Sequence, residues 1–292
     1  MIDLRQLSDF DAPPILLDGA TGTELERRGF ALDRAGWSAR AIDEAPELLE
    51  RIHSDYVDAG AQIITANTFR LHRRNLAAWG QADHQRRLVN RAIALARNAA
   101  GRRAVVAASL APLGDCYSPD EVPEAIRLEQ EHWELATELV RAGADLILIE
   151  TMVSAAEANA AVRAAASIGV PYVVSFVTGP GGRLLSGEHL DDAIQPLLKY
   201  QPAAVGINCV TCRHAGETLP LLVSAARQAP CGVYANTGER AEDGSWRVTT
   251  ASEPAVYAGL AKQWLDTGSR LIGGCCGTTP AHIAALQSIV RQ

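Results

Sequence analysis

The sequence has no apolar run that approaches the roughly 20 residues needed to cross a bilayer as a helix. Residues 1–5 also lack the charged-then-apolar pattern of a secretory signal peptide. We therefore expect a cytoplasmic protein with no membrane partner, whose six cysteines stay reduced. The chain has no excess of positive charge, since its formal net charge is −7, and this argues against nucleic acid as a partner.

The sequence also lacks a linker-like stretch, a strong short repeat and a low-complexity segment, so we expect one domain, residues 1–292. It consists instead of short apolar runs that alternate with amphipathic segments. The predicted strands are 15–17, 61–65, 104–109, 145–150, 172–177, 203–207, 232–235 and 271–273. The predicted helices are a short one ending at Gly29, then 46–59, 84–100, 123–142, 155–168, 190–199, 214–228, 253–267 and 280–290.

Eight strands that alternate with helices predict an α/β fold with a parallel sheet and crossover helices. The number eight favours closure of this sheet into a single (β/α)8 TIM barrel. An open, doubly wound sheet is the alternative. It is weakened because no Gly-x-Gly-x-x-Gly follows the first strand and no phosphate-loop lysine motif is present. In a barrel, functional groups cluster at the carboxyl ends of the strands. The residues at these ends are Asp18, Asn67, Ser109, Glu150, Asn208, Cys209, Asn236, Cys275 and Cys276.

Two adjacent cysteines, Cys275 and Cys276, lie in a glycine-rich turn after the last predicted strand. Adjacent cysteines are poorly placed to form a disulfide with each other, but they can offer two thiolates to one metal ion. Cys209 ends the sixth strand, and in a barrel only one strand separates the sixth from the eighth. The preferred interpretation is therefore a metal site with three cysteine ligands and an open fourth position, the pattern of a catalytic zinc.

Two other interpretations of the cysteines remain open. Cys209 and Cys212 form a Cys-x-x-Cys, which together with the adjacent pair would make a closed structural zinc site. Alternatively the cysteines bind no metal and are small buried apolar residues, as we expect for Cys231.

Five segments together resemble the homocysteine S-methyltransferase family, and the likeness spans about residues 14–290. The segments are Asp18-Gly19-Ala20-Thr21-Gly22-Thr23-Glu24-Leu25, Ala66-Asn67-Thr68-Phe69, Ile149-Glu150-Thr151, Gly206-Ile207-Asn208-Cys209 and Gly273-Gly274-Cys275-Cys276-Gly277-Thr278. The resemblance implies a barrel that holds Zn²⁺ through Cys209, Cys275 and Cys276, with the sulfur of homocysteine completing the site. It also suggests that Asn236 occupies the fourth zinc position when substrate is absent.

The chemistry of zinc thiolates agrees with this resemblance. A free thiol has a pKa of about 8.5 and is mostly protonated at neutral pH, whereas zinc binding removes the proton and leaves a nucleophilic sulfur. We therefore expect zinc-dependent methyl transfer from a sulfonium donor, S-methylmethionine or S-adenosylmethionine, to L-homocysteine, giving methionine. The nucleophile is the substrate's own thiolate, and no side-chain nucleophile is required.

The amino-acid end of homocysteine also needs partners. Glu150 is expected to bind its ammonium group, although a buried carboxylate can equally serve a structural role. The backbone N–H groups of Ala20, Thr21, Gly22 and Thr23 open a helix and are candidates for the carboxylate. Further candidate substrate contacts are Asp18, Asn67, Ser109 and Asn208. For Asn67 and Asn236, a local backbone role is the alternative.

The methyl donor is less well specified than the acceptor. The segment Trp37-Ser38-Ala39 resembles the S-methylmethionine-using branch of the family. Betaine-using members carry a tyrosine shortly after the second strand, where this chain has Arg70 after Phe69. Methyl transfer from betaine or a corrinoid protein, to homocysteine or another thiol, stays open as an alternative. So do two roles of another class, a non-catalytic zinc-binding protein and a thiol-redox protein that uses Cys209 and Cys212.

Overall fold

The computed structural model describes residues 4–9, 11–240 and 246–291, and within them eight parallel strands form one sheet. The strands, numbered here in chain order, are β1 Ile15–Leu16, β2 Ile63–Ala66, β3 Val105–Leu110, β4 Leu146–Met152, β5 Tyr172–Phe176, β6 Ala204–Thr211, β7 Cys231–Asn236 and β8 Ser269–Gly274. Each pairs with the strand that precedes or follows it in the sequence, and β8 pairs with β1. All eight predicted strands are therefore present.

The sheet closes on itself between β1 and β2. Leu17 and Ile63 form a parallel bridge, in which the Asp18 N–H donates to the Ile63 carbonyl at 3.0 Å. The Gln62 N–H donates to the Leu16 carbonyl at 2.7 Å on the same seam. This closure confirms the predicted (β/α)8 barrel and rules out the open sheet, because every strand then has two neighbours.

Helices follow the strands as predicted, with bounds that differ by a few residues. The main helices are α1 Gly22–Arg27, α2 Pro46–Asp58, α3 Gln85–Ala100, α4 Ala125–Arg141, α5 Ala155–Ile168, α6 Leu190–Leu198, α7 Cys212–Ala226, α8 Pro254–Asp266 and α9 Pro280–Val290. Short helices at Ala41–Glu44 and Arg73–Ala77 add to the loops after α1 and β2. In the described residues, no helix is both long and apolar enough to cross a membrane.

Local sequence signals set the helix ends. Thr279 and Pro280 predict the start of α9, since threonine is a good N-cap and proline suits the first helical position. The structure confirms both positions, and the ring of His282 completes the cap by accepting the Thr279 N–H. At α5, the Ser154 hydroxyl accepts the Glu157 N–H at 3.2 Å, and Gly169 ends the helix with φ of +79°.

Two apolar layers stabilise the barrel. Side chains such as Ile63, Val105 and Leu146 belong to a cluster built from many strands, which fills the interior. Their sequence neighbours Ile64 and Val106 lie in the larger cluster between the sheet and the helices. The strands are buried on both faces, and this explains why they appear in the sequence as continuous apolar runs instead of alternating patterns.

Two antiparallel hairpins were not predicted. One follows β5 and pairs Thr178–Gly179 with Arg183–Leu184, and the other follows β7 and pairs Gly238–Arg240 with Trp246–Val248. The second falls between the predicted strand 232–235 and the predicted helix 253–267, where no strand was predicted, and residues 241–245 of this segment lie outside the described part. Both hairpins follow the carboxyl ends of barrel strands, the side on which barrels of this kind carry their functional groups.

Candidate metal centre and substrate cavity

A cavity of about 400 Å³ opens at the carboxyl ends of the barrel strands. Most of the predicted site residues line it, as expected for a barrel of this class. Those lining the cavity are Asp18, Ala20, Thr21, Gly22, Thr23, Asn67, Ser109, Glu150, Cys209, Cys275 and Cys276. The lining does not include Asn208 or Asn236, which are buried behind the wall.

Three cysteine sulfurs meet at this cavity. The Sγ atoms of Cys209, Cys275 and Cys276 all lie within 4.8 Å of one another, and those of Cys209 and Cys276 are 3.8 Å apart. A tetrahedral zinc with Zn–S bonds of about 2.3 Å requires sulfurs about 3.8 Å apart, so this pair already has the spacing of zinc ligands. Three soft sulfur ligands beside an open cavity fit a zinc ion with one exchangeable position.

The closed four-cysteine site is not formed. Cys212 lies at the start of α7, and its thiol donates to the Asn236 carbonyl at 3.3 Å instead of joining the cluster. In the described part of the chain, the three-cysteine group is the one arrangement of cysteine, histidine or acidic side chains with metal-ligand spacing. Cys231 is buried in β7, as expected for a small apolar residue.

A strained turn aims Cys209 at the cluster. Its φ is +56°, in the left-handed region that residues other than glycine rarely adopt, and the register with β7 shifts between Asn208 and Thr211. A shift of this kind is a β-bulge, which redirects side chains and is frequent beside active sites. β6 therefore runs to Thr211, four residues beyond the predicted end, and carries Cys209 within it.

Close packing explains the glycines around the adjacent cysteines. Gly277 has φ of +83°, and a Cβ there would overlap the Thr237 hydroxyl. A Cβ on Gly274 would overlap the Thr278 side chain. Both positions therefore admit only glycine without a rearrangement, and the turn that presents Cys275 and Cys276 depends on them.

Hydrogen bonds from β7 fix the backbone of the same turn. The Cys275 N–H donates to the Ala235 carbonyl at 2.9 Å, and the Cys276 N–H donates to the Asn236 side-chain oxygen at 3.0 Å. The Gly277 N–H donates to the Thr23 hydroxyl at 2.9 Å. The turn is thus tied to β7 on one side and to the start of α1 on the other.

The three thiols share protons unequally. Hydrogen bonds from the neighbouring thiols of Cys209 and Cys275 hold the pKa of Cys276 well below its usual range. The contacts with Cys209 and Cys276, together with burial, raise the pKa of Cys275. A metal ion held by all three sulfurs would displace the protons that these thiols retain.

Two buried carboxyl groups, those of Asp18 and Glu150, line the cavity. Burial raises the pKa of Asp18 to about 7, although its oxygens accept the Thr65 N–H at 2.7 Å and the Thr65 hydroxyl at 2.8 Å. Burial raises the pKa of Glu150 to about 8, with one hydrogen bond, from the Ser109 hydroxyl, favouring the ionised form. A cationic group placed beside Glu150 would reverse this rise, because it stabilises the carboxylate.

The start of α1 lies under a tryptophan ring. A Cβ on Gly22 would come within 2.6 Å of the Trp37 ring, so the indole packs directly over this glycine. The Ala20 N–H is already used, since it donates to the Thr278 hydroxyl at 3.1 Å. The first amides of a helix have no partner within it, which leaves those at Gly22 and Thr23 as the better candidates for a carboxylate.

Two of the predicted substrate contacts have structural partners. The Asn67 side chain donates to the Ser38 carbonyl at 2.7 Å and accepts the Ser38 hydroxyl at 2.9 Å. The Asn208 side-chain oxygen accepts the Thr151 N–H at 3.0 Å and holds the end of β4. Substrate contact by either asparagine stays a prediction.

The sequence did not reveal Tyr117. Its hydroxyl lies 3.0 Å from Cys209 Sγ, and the ring lines the cavity together with Cys116. Both residues belong to the loop after β3, the same edge that carries the other site residues. Its position after a barrel strand was the available signal, but a 14-residue connection gives no indication of which side chain turns inward.

Fold and site together define a (β/α)8 barrel whose cavity carries three cysteines with the spacing of metal ligands. The model of the homocysteine S-methyltransferase family matches residues 15–290. The homocysteine S-methyltransferase of Escherichia coli (strain K12) is 33% identical, with 94% of each chain aligned, and YbgG of Bacillus subtilis (strain 168) is 31% identical over 96% of this chain and 95% of its own.

The crystal structure of the metallated form of the homocysteine methyltransferase MmuM from Escherichia coli superposes with a TM-score of 0.85. It is 30% identical, and the match covers 98% of this chain and 99% of that one. The chain therefore belongs to the homocysteine S-methyltransferase family. The family and enzyme class that the five sequence segments indicated are confirmed.

Proposed function

We propose that this protein transfers a methyl group from a sulfonium donor, S-methylmethionine or S-adenosylmethionine, to the thiolate of L-homocysteine, giving methionine, with Zn²⁺ as cofactor. The observation that carries the proposal is the cluster of Cys209, Cys275 and Cys276, whose sulfurs face a cavity large enough for an amino acid. Membership of the family supports homocysteine as the acceptor.

The three cysteines would hold the zinc ion. When bound, zinc supplies a positive charge that keeps the acceptor sulfur deprotonated at neutral pH and leaves it nucleophilic. The chain's own contribution is to place the sulfur ligands on one side and leave the cavity side free. The turn at Gly277 positions the sulfurs of Cys275 and Cys276, and the bulge positions the sulfur of Cys209. Both have left-handed backbone conformations that are held by their surroundings.

Glu150 would bind the ammonium group of the acceptor. Its carboxyl group is buried at the cavity wall with one hydrogen-bond donor, so an ammonium group would supply the missing stabilisation of its charge. The Ser109 hydroxyl, which donates to Glu150, would hold the Glu150 carboxylate in place. The amides at the start of α1, around Thr21 to Thr23, would receive the acceptor carboxylate, and Asp18 would keep Thr65 and β2 in register beside them.

The choice of a sulfonium donor rests on charge and on aromatic surface. With zinc held by three thiolates, the site would carry a net charge of −1, and the acceptor thiolate would add another negative charge, so a cationic methyl donor would be attracted. Trp37 and Phe69 line the same cavity with ring centroids 6.1 Å apart, and aromatic faces attract onium groups. The partners that we propose are small molecules. We also propose that residues 1–292 form one domain and that the protein is cytoplasmic.

The test is a donor panel with homocysteine on zinc-loaded protein, in which methionine formation is measured. We expect turnover with S-methylmethionine or S-adenosylmethionine and none in a Cys276→Ser variant. Turnover with betaine or a methylated corrinoid protein alone would show that the donor class is wrong. Zinc binding without methionine from any of the four donors would support a non-catalytic zinc-binding protein instead.

A further inference from the structure

Arg70 occupies an unusual position in the cavity wall. It follows Phe69 after the end of β2 and is half-buried, with its guanidinium group 5.3 Å from the centre of the Phe69 ring. Its Nη1 reaches the Gly114 carbonyl only at 3.4 Å, a long contact for a hydrogen bond. The guanidinium group is therefore held against an aromatic face, and the described residues offer it no strong hydrogen-bond acceptor.

The neighbouring arginines, by contrast, are paired with carboxylates. Arg73 contacts Glu134, and Arg74 makes two hydrogen bonds to Glu131, at 2.7 and 2.8 Å. Among the described residues, no carboxylate lies within 4.0 Å of the Arg70 guanidinium group. A planar cation that lines a cavity and has no anionic partner is suited to a carboxylate or phosphate on a ligand.

The aromatic pair, Trp37 and Phe69, lies next to the Arg70 guanidinium group. The Phe69 ring carries Arg70 and also faces Trp37, and all three side chains line the cavity that holds the cysteine cluster. An onium group would be attracted to the aromatic faces, and a negative group to Arg70. The wall thus offers adjacent sites for a positive and a negative charge.

We propose that Arg70 binds the carboxylate of the sulfonium methyl donor. This inference rests on the proposed function and deepens it by naming the side chain that recognises the negative end of the donor. In the transfer, a lone pair of the acceptor thiolate forms the new S–CH3 bond while the donor's C–S bond breaks. The bonding pair goes to the donor sulfur, which leaves as a neutral thioether that keeps its carboxylate. The acceptor's thiol proton is released to solvent before the transfer.

A contact between Arg70 and the donor carboxylate would restrict how the donor lies in the cavity. A donor held at one end by Arg70 and at its onium by the aromatic pair has few orientations left, which favours the in-line approach to the acceptor sulfur. Arg70 would then lower the donor KM more than it raises kcat, because its contact is the same before and during the transfer.

The experiment compares S-methylmethionine with its carboxamide, which keeps the sulfonium and lacks the negative charge. Binding is measured by calorimetry on zinc-loaded wild-type protein without homocysteine, and kinetics are measured with homocysteine. We expect the wild type to prefer the carboxylate by roughly 10- to 100-fold in both affinity and kcat/KM, the usual value of a charged hydrogen bond. In Arg70→Gln this preference should disappear, with kcat for S-methylmethionine within about twofold of the wild type. Arg70→Lys should restore part of it.

Arg73→Gln is the matched control, because Arg73 is three residues away and paired with Glu134. It should keep the full preference for the carboxylate. Equal wild-type affinity for the two donors would overturn the inference, and so would an Arg70→Gln variant whose KM rises for homocysteine instead of the donor. A wild type that forms no methionine from either donor would overturn the proposed function, while the calorimetric comparison still decides the role of Arg70.

Discussion

The side-chain oxygen of Asn236 accepts the backbone N–H of Cys276 at 3.0 Å, and this hydrogen bond joins the end of β7 to the cysteine turn. The Asn236 carbonyl also accepts the Cys212 thiol. The side chain is buried, so neither contact is shared with solvent. To act as a fourth zinc ligand, the role that the family resemblance suggests, the Asn236 Oδ1 would have to release the Cys276 N–H or use its second lone pair.

Asn236→Ala should weaken zinc binding. The substitution leaves the Cys276 N–H without its acceptor and frees the turn to move, and loss of a group that orients a metal ligand typically costs about 10- to 100-fold in affinity. The measurement is a zinc competition titration with a chromophoric chelator. Asn67→Ala, which removes a buried asparagine bonded to Ser38 instead, should keep wild-type zinc affinity. Unchanged zinc affinity in Asn236→Ala would show that the turn is rigid without this bond.

Each cysteine of the cluster should be required for zinc. Cys209→Ala, Cys275→Ala and Cys276→Ala each leave two sulfur ligands, so we expect loss of stoichiometric zinc and loss of methionine formation with the fold retained. Elemental analysis of the purified protein and circular dichroism provide the measurements. Cys231→Ala is the matched control, since it removes a buried thiol of β7 outside the cluster. Full zinc content in any of the three cluster variants would contradict the ligand assignment.

Acceptor use should depend on the ionisation of Glu150. Burial raises its pKa to about 8, so the carboxyl group is protonated below that pH in the acceptor-free protein and cannot pair with an ammonium group. We therefore expect kcat/KM for homocysteine to rise with pH through about 8. The profile is measured from pH 6 to 9.5 in wild type and in Glu150→Gln.

The Glu150→Gln variant should lose roughly 10- to 100-fold in kcat/KM at pH 9 and lose this part of the pH dependence. Asp18 has a pKa of about 7 and titrates in the same range, so the difference between the two profiles is the informative quantity. An acceptor without the amino group, 4-mercaptobutanoate, provides the control, because its use should be insensitive to the substitution. An identical loss with both acceptors would mean that Glu150 does not bind the ammonium group.

The fold was predictable because the strands of a parallel barrel are buried on both faces. Runs such as Leu146–Ile149 and Val105–Ala108 are therefore continuous and easily recognised, and glycine or polar residues mark their ends. The cysteines were predictable for a related reason. Strand ends in a closed barrel meet at one edge, so Cys209 and Cys276, 67 residues apart in the chain, meet there once the strand count is known.

What was not predictable depends on loops and on backbone strain. Tyr117 reaches Cys209 from a long connection whose path is set by tertiary contacts and not by local sequence preference. The left-handed conformation of Cys209 has no sequence signal either, because glycine or asparagine is the residue that usually marks it. The pairing of Asn67 with Ser38 joins the end of β2 to a short 3-10 helix at Trp37–Arg40, and such a long-range contact becomes visible only in three dimensions.

Gly277→Ala should destabilise the protein and reduce its zinc content together. The alanine faces two penalties, a left-handed φ of +83° that costs roughly 1–2 kcal/mol for a residue with a Cβ, and an overlap with the Thr237 hydroxyl that forces the turn to move. Gly187→Ala separates the two penalties, because Gly187 has φ of +102° and open space around its Cβ position. We expect urea unfolding to show a loss in both variants that is larger in Gly277→Ala, and elemental analysis to show zinc loss in Gly277→Ala alone. Equal losses of stability with full zinc in both would mean that the turn absorbs the methyl group without displacing Cys276.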